Sequence, residues 1–175
     1  MKKLLSFKAW QLFLLIFICG AWTSPSPLKE IVNVVAVVTF TLWIDAVGVH
    51  GQDRIRQLGL KPMNLTLFRT NVFLMGAFFL AGLIYSIVVG ETDRDNSVSS
   101  PAEDILYGVV GLYWLFALVQ SVLFACKTIA KVEYRREVSF SDYLNNLLLM
   151  FFFFVGIWFL QPKVNRFVAN DVRHA

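Results

Sequence analysis

The stretch ILYGVVGLYWLFALVQSVLFAC, Ile105–Cys126, decides the fold. It holds no Asp, Glu, Lys, Arg or His. A helix rises about 1.5 Å per residue, so a bilayer core about 30 Å thick takes roughly 20 helical residues. This stretch meets that length. Four more apolar runs accompany it: Ala9–Trp22, Ile31–Val49, Val72–Val89 and Leu147–Leu160. Asp45 is the one charge inside the five. The fifth run is continuous for only about 21 Å. Ser141–Gln161 is long enough as one helix, with a span at about residues 143–160, Asp142, Asn145 and Asn146 as its polar inner turn, Ser141 as N-cap and Pro162 as stop. The pattern predicts an all-α polytopic transmembrane bundle of five helices, one integral membrane domain over residues 1–175. If the fifth run enters and returns instead, four true spans remain.

The composition agrees. The chain is 57% hydrophobic and 16% charged, where a soluble domain carries about 25% charge. No loop is long enough to fold alone. The net charge of +4 does not point to nucleic acid, because the basic residues flank apolar runs and there report orientation. Cys19 and Cys126 fall at opposite membrane faces in this scheme, beyond the reach of a disulfide. Lys2, Lys3 and the apolar Leu12–Ile18 imitate a signal peptide, but Trp22 interrupts the small-residue cleavage pattern, so an uncleaved first span is expected.

Short cytoplasmic loops collect Lys and Arg. Lys2, Lys3 and Lys8 precede run one; Arg54, Arg56, Lys61 and Arg69 follow run two; Lys127, Lys131, Arg135 and Arg136 follow run four. Between runs three and four stand Glu91, Asp93, Asp95, Glu103 and Asp104 against Arg94. The expected topology has the N-terminus, Gly51–Asn71 and Lys127–Asp142 in the cytoplasm and Glu91–Asp104 outside. Lys163, Arg166 and Arg173 break the rule if run five crosses. Asn64-Leu65-Thr66 matches a glycosylation sequon but lies in a loop assigned inside.

Small residues at four-residue spacing let helices approach closely. Run three carries Gly82, Ser86 and Gly90; run four carries Ala117, Ser121 and Ala125. Each set forms a stripe for packing these two helices together, or for a subunit interface. Asp45 and Gln120 are the polar residues within spans that invite a functional reading. Asp45 near the inner end can instead pair with Arg54, Arg56 or Arg69, and Gln120 can bond a neighbouring helix. Lys127, Lys131 and Arg135 extend run four as a basic stripe suited to anionic headgroups or an acidic partner. His50 and Asp45 point to different helix faces. No metal spacing, nucleophile elbow, phosphate loop or dinucleotide pattern is present, and no cofactor is expected.

Four segments carry a family likeness: Trp10–Phe13, Met63–Arg69, Val132–Tyr143 and Gly156–Asn165. In these the chain resembles a group of small uncharacterised multispan membrane proteins of Bacteroidota-type bacteria. That resemblance implies a bacterial inner-membrane location and no mechanism. In size and span count alone it is similar to membrane accessory proteins of bacterial antiviral systems.

The functional expectation is a non-enzymatic integral membrane protein that binds membrane lipids and either a membrane protein partner or a second copy of itself. One alternative is an oligomeric pore or small transporter with Asp45 and Gln120 facing a shared cavity. The other is a lipid-modifying enzyme using Asp45 and His50.

Overall fold

The computed structural model describes residues 5–18, 27–94 and 101–169. All its regular elements are helical. A short helix α1 (Ala9–Phe13) continues as a π-helical turn, Leu14–Ile18. Then come α2 (Pro27–Gln57), α3 (Leu65–Arg94), α4 (Pro101–Tyr134), α5 (Phe140–Phe151) and α6 (Phe153–Ala169). Among the described residues three helices are long and apolar enough to cross a membrane: Ile31–Gln57, Leu65–Tyr85 and Ile105–Tyr134. The expectation of five is corrected to three.

Helix ends follow local chemistry. Proline opens α2 and α4, where its missing N–H would have no helical partner. Helix α2 closes in a Schellman motif: Gly59, at φ 70°, donates to the Arg56 carbonyl and Leu60 donates to that of Ile55. Asn64, the sequon asparagine, caps α3 by accepting from the Leu67 amide at 3.1 Å. Ser139, rather than the expected Ser141, caps α5. Asp142 accepts from its backbone N–H at 2.8 Å, completing a capping box.

The three long helices touch one another in pairs. Phe68 of α3 stacks on Phe124 of α4, with ring centroids 4.2 Å apart. Gly48 of α2 makes room for this ring, since a Cβ there would overlap the Phe68 side chain. Trp43, Ile44, Val47 and Ile129 are fully buried in the same cluster. On the outside, Ile105, Leu112, Phe116 and Phe151 stand exposed. A soluble protein would not leave so much contiguous apolar surface in water.

The last run does not form one helix. Helix α5 ends at Phe151, and Phe152, at φ −91° and ψ 51°, turns the chain. Gly156 then lies against the Leu149 carbonyl oxygen so closely that a Cβ would overlap it. In a straight helix residues seven apart are about 10 Å apart along the axis, so this approach requires a fold-back. Lys163 of α6 accordingly reaches Asn146 of α5 at 3.1 Å. Pro162, the expected stop, lies inside α6.

Run one is also not a long helix in its described part. Its α-helix gives way to the π turn after five residues. Phe13 and Phe17 pack on Phe154 at the hairpin tip, and Phe13 also meets Trp158. Cys19, Trp22, residues 95–100 of the acidic loop and the tail from 170 onward, which includes Arg173 and His174, lie outside the described residues.

Candidate functional site

The polar side chains inside the bundle sit where long helices meet. Asp45 is fully buried. Its Oδ1 accepts from Arg69 Nε of α3 at 3.0 Å, while its Oδ2 has no partner among the described residues. Of the three arginines open to Asp45, α3 supplies this one because Arg69 lies one turn inside that helix, level with Asp45. Gln52 of α2 donates to Thr128 of α4 at 3.1 Å and accepts from the Met63 amide at 2.8 Å, tying the inter-helix loop to both helices. Helices α2 and α4 run in the same direction. Ser121 of α4, two turns before Thr128, is also fully buried, and its hydroxyl has no partner among the described residues. Asn71 of α3 donates to Gln120 at 3.1 Å and accepts from Tyr113 at 2.9 Å.

A second network joins the segment at Leu5–Phe7 and helix α6 to the bundle. Gln161 of α6 accepts from Trp43 Nε1 at 2.8 Å. Its amide donates to the Leu5 and Phe7 carbonyls, both at 3.0 Å. Lys163 donates to Glu133 at 2.8 Å. Beside this pair lies a small cavity of about 140 Å³ walled by Arg54, Arg135, Lys163 and Arg166 around Glu133. Leu58 and Val132 complete its lining. Four cations from α2, the end of α4 and α6 thus meet one carboxylate. Arg135 holds φ 52°, the left-handed conformation that costs a non-glycine residue energy. It ends α4 in this way and turns the chain toward α5.

Near the end of α4, Lys131 binds Glu137 of the following loop at 2.7 Å and donates to the Lys61 carbonyl at 2.9 Å. The Lys131 hydrogen bond, helped by the Lys61 amide, holds the Glu137 carboxyl below its usual range. Asp142 is lowered chiefly by the Ser139 backbone amide and then by Arg136.

The basic stripe expected on α4 is therefore not a stripe. Lys131 is 2% exposed and taken up internally. Arg135 stands past the helix end and joins the cationic cavity. Lys127 lines a separate groove with Gln120 and Tyr143. Helical spacing of four put the three on one face, but spacing carries no information on partners that loops bring in.

Among the small residues, Ala117, Ser121 and Ala125 are fully buried. Gly82 lies away from any close helix contact, since a Cβ there would meet nothing within 4 Å. Ser86 and Gly90 fall in the last part of α3, residues 86–94, where only the backbone is described. Asp45 and His50 are not brought together: Asp45 turns to Arg69, and His50 Nδ1 donates to the Ala46 carbonyl of its own helix at 3.0 Å. Among the described residues no group of three His, Cys, Asp or Glu could hold a metal. Gln161, Lys163 and Arg166 were not singled out as site residues by pattern, although the misplaced charge of the last two pointed to a return of the chain.

No family model, no curated protein and no solved structure matches this chain.

Proposed function

We propose that this chain is a non-enzymatic integral membrane protein that works by binding an acidic partner at its cationic end. One observation carries the reading. The polar groups within the long helices are mostly engaged with one another, whereas Arg54, Arg135, Lys163 and Arg166 converge on a cavity with a single carboxylate. Surplus positive charge gathered from three helices favours an anionic group, and arginine's fork favours a carboxylate or phosphate in particular.

The basic loops and the returning α6 share this end of the bundle, so the positive-inside rule supports a cytoplasmic placement in a bacterial inner membrane, with the N-terminus on the same side. The family resemblance in Val132–Tyr143 and Gly156–Asn165 supports the same location. Both of these segments contribute residues to the cationic cavity.

The test is purification of the full chain from its native membrane in mild detergent after crosslinking. A specific protein is expected to be retained by the wild type and lost from Arg54→Glu/Arg166→Glu. Recovery of the bare chain across several detergents, or equal retention by the charge-reversed variant, would count against this reading.

A further inference from the structure

On another face of the molecule, we propose that a groove along α3 is a binding site for one anionic phospholipid. The groove is open, about 670 Å³, and has two chemically distinct halves. Arg56, Thr66, Arg69 and Thr70, with Leu65 among them, line its lower half, and Phe73, Leu74 and Ala77 its upper half. That order, cations and hydroxyls below and bare apolar surface above, matches a phosphate head and an acyl chain.

Arg69 makes the case specific. It lies at the fifth position of the span Leu65–Tyr85, so its guanidinium sits near the membrane boundary. Asp45, buried behind it, takes the Nε–H at 3.0 Å. That is its one side-chain hydrogen bond among the described residues, so the two Nη groups remain to be satisfied. At that boundary water or a lipid phosphate can accept from them. The Arg69 side chain is 45% exposed and lies over the Phe73 ring, 5.5 Å from its centroid. Asp45 and Phe73 thus hold the fork in place, and a phosphate with two free oxygens accepts from it bidentately. Arg56 supplies a second cation at the mouth. Its own partner, Asp53, lies at 3.2 Å, and both are more than half exposed, so that weak pair yields readily to a phosphate. Phe73 and Leu74 are exposed apolar side chains above, placed to run beside the acyl chain. The occupant is a lipid rather than a free anion because half the groove is apolar.

The test places the full chain in nanodiscs of phosphatidylglycerol mixed with phosphatidylcholine and reads retained lipid by native mass spectrometry. Phosphatidylglycerol is expected to be retained in preference. Arg56→Gln should lower its retention about five-fold, and Arg56→Gln/Arg69→Lys by a similar factor again. Arg136→Gln, a surface arginine outside both cavities and paired with Asp142, should leave it unchanged. A phosphatidylglycerol carrying a photoreactive acyl chain should label Phe73, Leu74 and Ala77 above Leu112 and Phe116. Should the double variant fail to fold, Arg56→Gln decides alone, since its side chain is on the surface. Equal retention of both lipids, no effect of Arg56→Gln, or even labelling over the surface would overturn the proposal. Displacement by soluble glycerol phosphate alone would also overturn it, showing a free-anion site.

Discussion

Lys163 Nζ stands 2.8 Å from a carboxylate oxygen of Glu133, a bond between the last helix and the foot of α4. It can form only because the chain turns back at Phe152. Had the fifth run crossed the membrane, Lys163 and Arg166 would have emerged on the far side from Arg54 and Arg135. The fold-back gathers all four at one end. The proposed binding surface exists because of it.

The turn depends on Gly156. Gly156→Ala places a methyl on the Leu149 carbonyl, backbone that cannot move aside as a side chain can. We expect a loss of at least about 1–3 kcal/mol and release of α6 from α5. Gly82→Ala, which meets open space, should be neutral or slightly stabilising through helix propensity. Thermal unfolding in one detergent compares the pair. Equal stability of the two variants would mean that the turn is not tight.

The Asp45–Arg69 pair should respond asymmetrically. Arg69→Gln leaves a buried carboxylate without its cation, and should cost about 3 kcal/mol, at the low end for a buried pair because Arg69 is half exposed. Asp45→Asn leaves a guanidinium that can reach the boundary, and should cost less. Asp45→Asn/Arg69→Gln should recover part of the loss. A double-mutant cycle by unfolding in detergent checks the order. Additive losses would remove the coupling.

Gln161 holds Trp43, Asn165 and the Leu5 and Phe7 carbonyls together. Gln161→Leu strands the buried Trp43 Nε1, frees the Leu5 carbonyl and leaves the Phe7 carbonyl only the long bond from Asn165, at 3.5 Å. A buried group left unpaired costs about 1–3 kcal/mol. The expected sign is faster hydrogen exchange and proteolysis before Ala9, with the α2–α3–α4 bundle unchanged. Protection equal to wild type would show that the N-terminal segment is held by other contacts.

Glu137 and Asp142 both titrate below the ordinary carboxylate range when folded. Their contribution is present in full above the unfolded value, about pH 4, and is lost as pH falls through the lowered folded values. The amides that these carboxylates accept from, Lys61 and Ser139, should therefore stay protected at pH 5 and open progressively below about pH 4. Exchange corrected for intrinsic rate reads this directly. Loss of protection between about pH 6 and 7 would assign the ordering to some other group.

The long helices were legible because apolar length is a local property. Ile31–Val49, Val72–Val89 and Ile105–Cys126 each lie within a long helix. Arg69 was readable as one of three possible partners for Asp45, since short-range spacing narrows the choice without making it. The hairpin was not legible at its turn. Phe151, Phe152 and Phe153 give no turn signal, and the one small residue in the run, Gly156, comes four residues later. The available clue was electrostatic: Lys163 and Arg166 violate the positive-inside pattern only if the run crosses. Lys131 misled for the opposite reason. Its spacing from Lys127 and Arg135 is regular, but Glu137 and the Lys61 carbonyl reach it from loops.

The most direct measurement is the side of the membrane on which α6 ends. Single cysteines at Gln57 and Arg166, with Cys19 and Cys126 replaced, are exposed to an impermeant thiol reagent. Both positions should be silent in intact cells and react together after lysis. Labelling of the Arg166 site in intact cells while the Gln57 site stays silent would put α6 across the membrane, and would contradict both the fold-back and the binding surface built on it.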